Sequence, residues 1–441
     1  MRTRLAAFWE YLRSSYWFIP SVMCAAAILL VVVLLNLEDT LIEGTPTGLW
    51  WLYAGSPSGA REVLSTIAGS MITVASLTFS VTMVALSVAS QQFGPRLLRS
   101  FMRDRGVQFV LGTFLATFLF SLLILRRVRE INNEDDVPYA SVTVALALTI
   151  LSIGVLIYFI HHVSRMMQSS HLIAAVSRDI HEAIQKIFPK RVGAERPEEP
   201  EHVHRSRVPE NLEAESRPVP ACKNGYLQAI ERDALLKTAT QRQVLVRLCF
   251  RPGDYIVKGS PLVLVWPGRT VDEDLCGALN ESFVIGVERT VTQDLRYTVD
   301  QLVEIALRAL STGIDDPFTA IACLDHLTAA LCNLAEREIP SGYRYDAEQR
   351  LRIIADPVTF TDITDAIFNP IREAGKKKTA VTLAALRVIE VASGRVRREA
   401  DKHALFHHAA LLEKESKEAL TSDADRQLIA ERFRQAVRLL A

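Results

Sequence analysis

Charge disappears from the first third of the chain in four long stretches. Residues 14–37, 63–95, 106–125 and 137–164 contain no Asp, Glu, Lys or Arg. About 20 apolar residues suffice to cross the roughly 30 Å hydrocarbon core of a bilayer, so each stretch can form a membrane-spanning helix. Aromatic side chains stand where a membrane–water interface would lie, at Tyr16, Trp17 and Phe18 and again at Trp50, Trp51 and Tyr53. The pattern predicts an α-helical membrane domain of four transmembrane helices over residues 1–165.

The second stretch is unusual in length and in its polar atoms. Its 33 residues would make a helix about 50 Å long, more than a bilayer needs. It is expected to tilt, to project, or to break before Gly94-Pro95. Within it, Gly69, Thr73, Ser76, Ser80, Met83, Ser87 and Ser90 recur at spacings of four and three, which places them on one helix face. Thr78 and Thr82 fall on another face, beside Leu77, Phe79 and Leu86. Two readings stand. Small residues let membrane helices approach closely, and Ser or Thr can bond across the contact or back to their own helix. Alternatively, the face lines a wetted path around an oligomer axis, as pore-lining hydroxyls do.

Ionisable residues inside membranes mark proton relays, ion-coupled carriers and voltage sensors. Their absence from all four stretches argues against those classes. His161 and His162, at the end of the fourth stretch, read as a solvated interfacial pair. The apolar run near the N-terminus is too long for a signal peptide, and no small-x-small cleavage site follows before Glu38, so it reads as a retained anchor. Arg2, Arg4, Arg13, Arg96, Arg99, Arg103, Arg105, Arg165 and Arg178 flank one side of the spans, against Arg61, Arg126, Arg127 and Arg129 on the other. That asymmetry predicts a multi-pass protein with both termini in the cytoplasm, although the Arg-rich run after the third span dissents.

Two segments resemble a known family. One is "GSMITVASLTFSVTMVALSVASQQFGPRLLRSFMRDRGVQFVLGTFLATFLFSLLILR", joined later by "YFIHHVSRMMQ". The other is "RTVTQDLRYTVDQLVEIALRALSTGIDDPFTAIACLDHL". Both are similar to the bacterial membrane-protein family catalogued as domain of unknown function 2254. This chain departs from that family's second segment at Tyr297-Thr298, Glu304, Thr312 and Asp315. The resemblance covers nearly the whole chain. It implies an integral membrane protein of the bacterial inner membrane and carries no established activity.

Beyond the spans the composition changes. The chain has 441 residues with 50 basic and 50 acidic side chains, so no net charge draws it to nucleic acid. Six scattered cysteines, at 24, 222, 249, 276, 323 and 332, form no close pair and suit a reducing cytoplasm. Residues 166–189 are expected to continue the fourth helix, with Met166, Ile173, Val176, Ile180, Ile184 and Ile187 near a 3.6-residue period. Residues 190–220, rich in charge and proline, read as a polar linker. Residues 221–270 switch to short β-branched runs at 225–230, 243–250, 254–259 and 261–266. The run "RPGDYIVKGSPLVLV" resembles the hairpin of biotinyl and lipoyl carrier domains and suggests a small barrel-like unit. No Met-Lys-Met-like hairpin accompanies it, so Lys237 and Lys258 are not expected to carry a swinging arm. Residues 271–441 read as mainly helical, with Asp316 and Pro317 as an N-cap and first-turn pair and a hairpin at 343–357. The whole cytoplasmic region is thus α+β.

Candidate chemistry is sparse. His403 and His407 share a helix face, yet no third ligand accompanies them and no HExxH pattern is present. Arg308 on an apolar helix suggests an ion pair more than a ligand contact. No metal, cofactor or catalytic set is expected. Arg96, Arg99, Arg103 and Arg105 follow the hydroxyl-bearing helix; they would touch anionic lipid headgroups or line a basic vestibule. The expected partners are the lipid bilayer and further copies of the chain. The expected function is a passive channel-like conduit lined by the second span; the alternative is a non-conducting scaffold or sensor.

Overall fold

The computed structural model describes residues 17–41, 56–94, 104–131, 134–166, 168–188 and 207–440. Two compact units emerge, Met1–His171 and Leu172–Ala441.

The first unit contains the helices α1 (Phe18–Leu41), α2 (Pro57–Phe93), α3 (Arg105–Arg127) and α4 (Tyr139–Met166). A short antiparallel hairpin, β1 (Arg129–Ile131) with β2 (Glu134–Asp136), joins the last two. Helix α3 is central and packs against the other three. Its Val107, Val110, Phe114, Phe120 and Ile124 are at most 1% exposed. Gly112 sets how closely α1 approaches: a Cβ there would sit 2.5 Å from Met23 Sδ and 3.2 Å from the Pro20 Cα. Small residues at such crossings let backbones meet in a membrane, where no hydrophobic effect drives helices together. The outward faces are the reverse of a soluble protein's. Leu29, Leu77, Ile150 and Ile157 are all more than 60% exposed, as lipid-facing side chains are.

Helix α2 is a single unbroken rod. Ser56 caps it by accepting the Gly59 N–H at 3.3 Å, and Pro57 occupies its first turn. It therefore starts before the charge-free stretch, because Arg61 and Glu62 fit in its opening turns. It ends at Gly94, whose φ of 106° few other residues adopt. The expected continuation of the fourth helix over residues 166–189 is interrupted. Helix α4 stops at Met166 and α5 begins at Ser169, extending to Ile187. The Gln168 N–H bonds the Arg165 carbonyl in an i→i−3 turn, which tightens and ends the helix.

Five helices among the described residues are long and apolar enough to cross a membrane, where the charge-free stretches marked four. The fifth, Pro317–Ala335, carries Asp325 and so was not charge-free. It lies in the second unit, with Cys323, Leu324, Leu327 and Leu331 fully buried.

That unit is α+β. After α6 (Leu212–Glu215) come β3 (Arg217–Pro220), β4 (Gly225–Ile230), α7 (Arg232–Gln241), β5 (Leu245–Leu248), β6 (Tyr255–Ile256), β7 (Pro261–Trp266), α8 (Glu273–Glu281) and β8 (Phe283–Gly286). Helices α9 (Leu295–Ala309) and α10 (Pro317–Ala335), strands β9 (Tyr343–Tyr345) and β10 (Leu351–Ile354), and helices α11 (Phe360–Gly375), α12 (Thr379–Ser393), α13 (Glu399–Ala419) and α14 (Asp423–Arg438) follow. The strand runs expected between 225 and 266 all form. They are shared between a sheet ordered β3-β7-β5-β10-β9 and a second ordered β6-β4-β8. Strand β10 lies parallel to β5, so the hairpin at 343–354 completes a sheet begun a hundred residues earlier. The proline-rich end of the expected linker is strand β3 at a sheet edge, where prolines leave no ladder bond unmade.

The expected cap at Asp316 is present in the helical part. Asp316 accepts the Phe318 and Thr319 N–H groups at 3.0 and 3.1 Å. Hydrogen bonds to the Thr319 hydroxyl and N–H hold its carboxyl below the usual range. Thr359 and Asp362 form a reciprocal capping box on α11. Arg308 pairs with Glu304 one turn back, at 3.5 Å.

His408 of α13 is 1% exposed, with Nε2 2.9 Å from an Asp365 carboxylate oxygen and its ring against Phe368. Burial pushes its pKa below the ordinary 6.5; Asp365 opposes that shift, while His407 and Arg372 add to it. Below pH 6.5 the unfolded chain binds a proton that the folded histidine refuses, so stability falls as pH drops toward the lowered value. Thermal midpoints measured from about pH 7 to about pH 5 should fall less steeply in His408→Gln than in the wild type. Equal slopes would assign the acid sensitivity to other groups.

Candidate functional site

The face of α2 predicted from spacing is real, and it points away from the bundle. Gly69, Thr73, Ser76, Ser80, Met83 and Ser87 are exposed and Ser90 is half-buried. The opposite face carries Leu64, Ile67, Met71, Ala75, Thr78 and Thr82, all buried. Close packing within one chain therefore does not explain the small residues. A Cβ added at Gly69 would meet nothing within 4 Å.

The hydroxyls are not idle. Thr73 donates to the Gly69 carbonyl at 2.8 Å, Ser76 to Ile72 at 2.9 Å and Ser80 to Ser76 at 3.0 Å. Each satisfies its donor on the preceding turn, which lets it face lipid or another helix at little cost. Their lone pairs stay open to an incoming donor or cation.

Spacing did not point to the polar seam inside the bundle. Thr78, Thr82, Gln108, Thr113, Thr117, Ser121, Ser141 and Ser152 are all buried. Thr82 and Thr113 bond back to their own helices, whereas Thr117 and Ser152 meet across α3 and α4 at 3.3 Å.

Ion-bearing side chains hold the helix ends instead of the middle. Arg61 of α2 donates through Nε and Nη2 to the Val128 carbonyl, at 3.3 and 3.0 Å, at the end of α3. Glu38 of α1 accepts from the Ser141 N–H at 3.0 Å and its hydroxyl at 2.8 Å, at the start of α4. Asp104 caps α3 by accepting the Gly106 and Val107 N–H groups, and also lies 2.9 Å from His162 Nε2 on α4. Each charge complements the helix dipole it meets: a cation at a C-terminus, anions at N-termini. His162 is thus not the merely solvated side chain expected. Its ring stacks on Tyr158 at 5.2 Å, and a Cβ at Gly106 would crowd His162, Asp104 and Tyr158 together. The signal available in sequence was Asp-Arg-Gly ahead of the third span, a cap followed by a residue with no side chain.

Of the arginine cluster, Arg105 is exposed in the first turn of α3; Arg96, Arg99 and Arg103 lie outside the described residues. Arg126 and Arg127 occupy the last turn of α3, where basic side chains suit a helix C-terminus.

The second signature segment builds a charged core in the C-terminal unit. Arg289 grips Asp294 with Nε to Oδ2 at 2.8 Å and Nη2 to Oδ1 at 3.0 Å, and reaches Asp300 at 2.9 Å. Asp294 also caps α9 through the Tyr297 N–H at 2.9 Å. Gly253, with φ 101°, lies against this carboxylate: a Cβ there would fall 2.2 Å from Oδ2. Burial raises the Asp294 carboxyl pKa, and Arg289 pulls it back. The roles are structural. Asp315, at φ 51°, pairs with Lys378. No group of three or more His, Cys, Asp or Glu residues is arranged to hold a metal among the described residues.

Comparison with known proteins agrees with this architecture. The family model described as "Predicted membrane protein (DUF2254)" matches residues 13–391. Uncharacterised proteins of Mycobacterium bovis and of Mycobacterium tuberculosis strain H37Rv are each 30% identical over 441 residues, covering 97% of this chain and 81% of theirs. No solved structure matches. A match over most of the length, spanning both the apolar helices and the Asp294 region, makes the chain a member of the predicted membrane protein family DUF2254.

Proposed function

We propose that this protein crosses the bacterial inner membrane four times, with both termini in the cytoplasm, and that copies associate through the outward face of α2 to form a passive conduit. It is not an enzyme in this reading. One observation carries the proposal: Gly69, Thr73, Ser76, Ser80 and Ser87 stay exposed in line while the opposite face of the same helix is buried. A small, weakly polar stripe facing outward invites either a second copy or water. The arginines that dissented from the orientation fit it on physical grounds. Arg126 and Arg127 sit at the C-terminus of α3, where the helix dipole favours them whichever side they face.

A second reading, a non-conducting scaffold or sensor, draws on the back-bonded hydroxyls of Thr73, Ser76 and Ser80, whose donors are spent on their own helix. Ion flux into liposomes holding the purified protein separates the two. Wild type is expected to conduct, and Ser76→Leu with Ser80→Leu is expected to abolish flux while the oligomer persists on cross-linking. Absence of flux from an intact wild-type oligomer would sink the conduit and leave the scaffold.

A further inference from the structure

The C-terminal unit holds a cavity of about 320 Å³ lined by Arg207, Gln243, Trp266, Arg350 and Arg352, among others. No carboxylate is among its lining residues within the described part of the chain. Its size falls in the range of small-molecule sites. It forms where β5, β7 and β10 lie side by side, next to the turn between β9 and β10.

The arginines are held in place by their neighbours. Gln243 Oε1 accepts from Arg350 Nη1 at 3.0 Å and from Arg352 Nη2 at 2.7 Å, so one amide fixes both guanidinium groups. Arg352 also donates to Asp346 at 2.7 Å, and this pair is buried. Asp346 is itself fixed by the Glu348 and Arg350 N–H groups. Arg350 reaches Glu348 at 3.3 Å in an exposed contact that water screens. Arg207 lies over the Tyr345 ring with Cζ 5.3 Å from its centroid. A guanidinium has five N–H donors, and these contacts leave several on Arg350 and Arg352 for another acceptor.

Two further features mark the place. Gln243 and Gln349 both line the cavity with positive φ, 52° and 60°. Non-glycine residues in that region cost energy and gather at ligand-binding positions. Trp266 also lines the cavity, and its indole Nε1 is shielded from solvent with no acceptor among the described residues. Leu245, Leu351 and Pro209 supply an apolar wall.

We propose that this cavity binds a small soluble phosphate monoester of about nucleotide size, its phosphate on Arg350 and Arg207 and its flat body against Trp266 and Leu245. Planar guanidinium groups match phosphate oxygens in pairs, and aromatic or aliphatic walls suit a base or similar ring. The lining residues lie in the second unit, and the proposal does not rest on the conduit reading.

The test uses the full chain in phosphatidylcholine nanodiscs, titrated with adenosine monophosphate, inorganic phosphate and adenosine. Calorimetry should show saturable binding of adenosine monophosphate, competition by phosphate, and binding of adenosine weaker by about tenfold or more. Arg350→Gln, at an exposed side chain, should weaken adenosine monophosphate about tenfold or more without moving the thermal midpoint. Trp266 is the one tryptophan after residue 51, so Trp266→Phe should remove any ligand-dependent change in emission. No binding of adenosine monophosphate or phosphate, or equal binding by folded Arg350→Gln, would overturn the proposal. Binding lost when phosphatidylglycerol replaces phosphatidylcholine would also overturn it, by assigning the arginines to a lipid headgroup.

Discussion

Asp294→Ala will destabilise the C-terminal unit by about 3 kcal/mol, the combined loss of its hydrogen bonds to Arg289 and of a helix cap. Asp294 is only 3% exposed, and Arg289 reaches it with two hydrogen bonds while also holding Asp300. Removing the carboxylate leaves the half-buried guanidinium with one anionic partner, and uncaps α9 at the Tyr297 N–H. Arg289 also lies 5.0 Å from the Tyr297 ring centroid, so the aromatic contact depends on the same anchor. Asp294→Asn should cost less, because its amide oxygen can still accept one bond although the charge is gone. Urea unfolding of the full chain, read by pulse proteolysis, measures both. A loss below about 1 kcal/mol for the alanine variant would place this pair with ordinary surface salt bridges.

In the membrane unit, Asp104→Ala should cost about 2 kcal/mol or more, because one carboxylate does two tasks. It caps α3, a role worth about 1 kcal/mol. It also bonds His162 of α4, and hydrogen bonds to charged groups are worth about 1.5–3 kcal/mol. Both side chains are mostly shielded, at 22% and 26% exposed, so solvent screening removes little. Thermal unfolding in detergent should show the drop, and Asp104→Asn should recover part of it by keeping the cap. If His162→Phe in the wild-type background lowers the midpoint as much as Asp104→Ala, the histidine bond dominates. If Asp104→Ala leaves the midpoint unchanged, the lipid environment and helix packing alone hold this end together.

The apolar helices were legible because a bilayer demands long uncharged runs, and the hydroxyl stripe because a helix repeats every 3.6 residues. The side on which that stripe lay was not legible: Leu64, Met71 and Ala75 match the same periodicity, and only tertiary packing chose between the faces. The helix-end contacts of Asp104, Glu38 and Arg61 escaped notice for another reason. Each residue sits just outside a charge-free run, where charge is routine, and its partner lies about 60 to 100 residues away. The strand runs at 225–266 were visible from β-branched residues, but β10, which pairs in parallel with β5, could not be linked to them by local pattern. The arginine cavity was hidden in the same way. Arg207, Gln243, Trp266 and Arg352 come from four separate stretches and carry no motif in common.

The length of α2 divides its own stripe. Helix α3 has 23 residues and spans about 35 Å, close to the hydrocarbon thickness. Arg61 fastens the start of α2 to the end of α3, so the antiparallel α2 draws level with Asp104 near about residue 84. The turns from there to Phe93 stand some ~14 Å beyond it. A bilayer matched to α3 would place Gly69, Thr73, Ser76 and Ser80 at bilayer depth, and their hydroxyls, where present, are bonded to their own backbone. The same bilayer would leave Ser87 and Ser90 on a stem in the headgroup layer or in water. One continuous helix face thus serves two solvents, and leucine at Ser76 and leucine at Ser87 are different experiments.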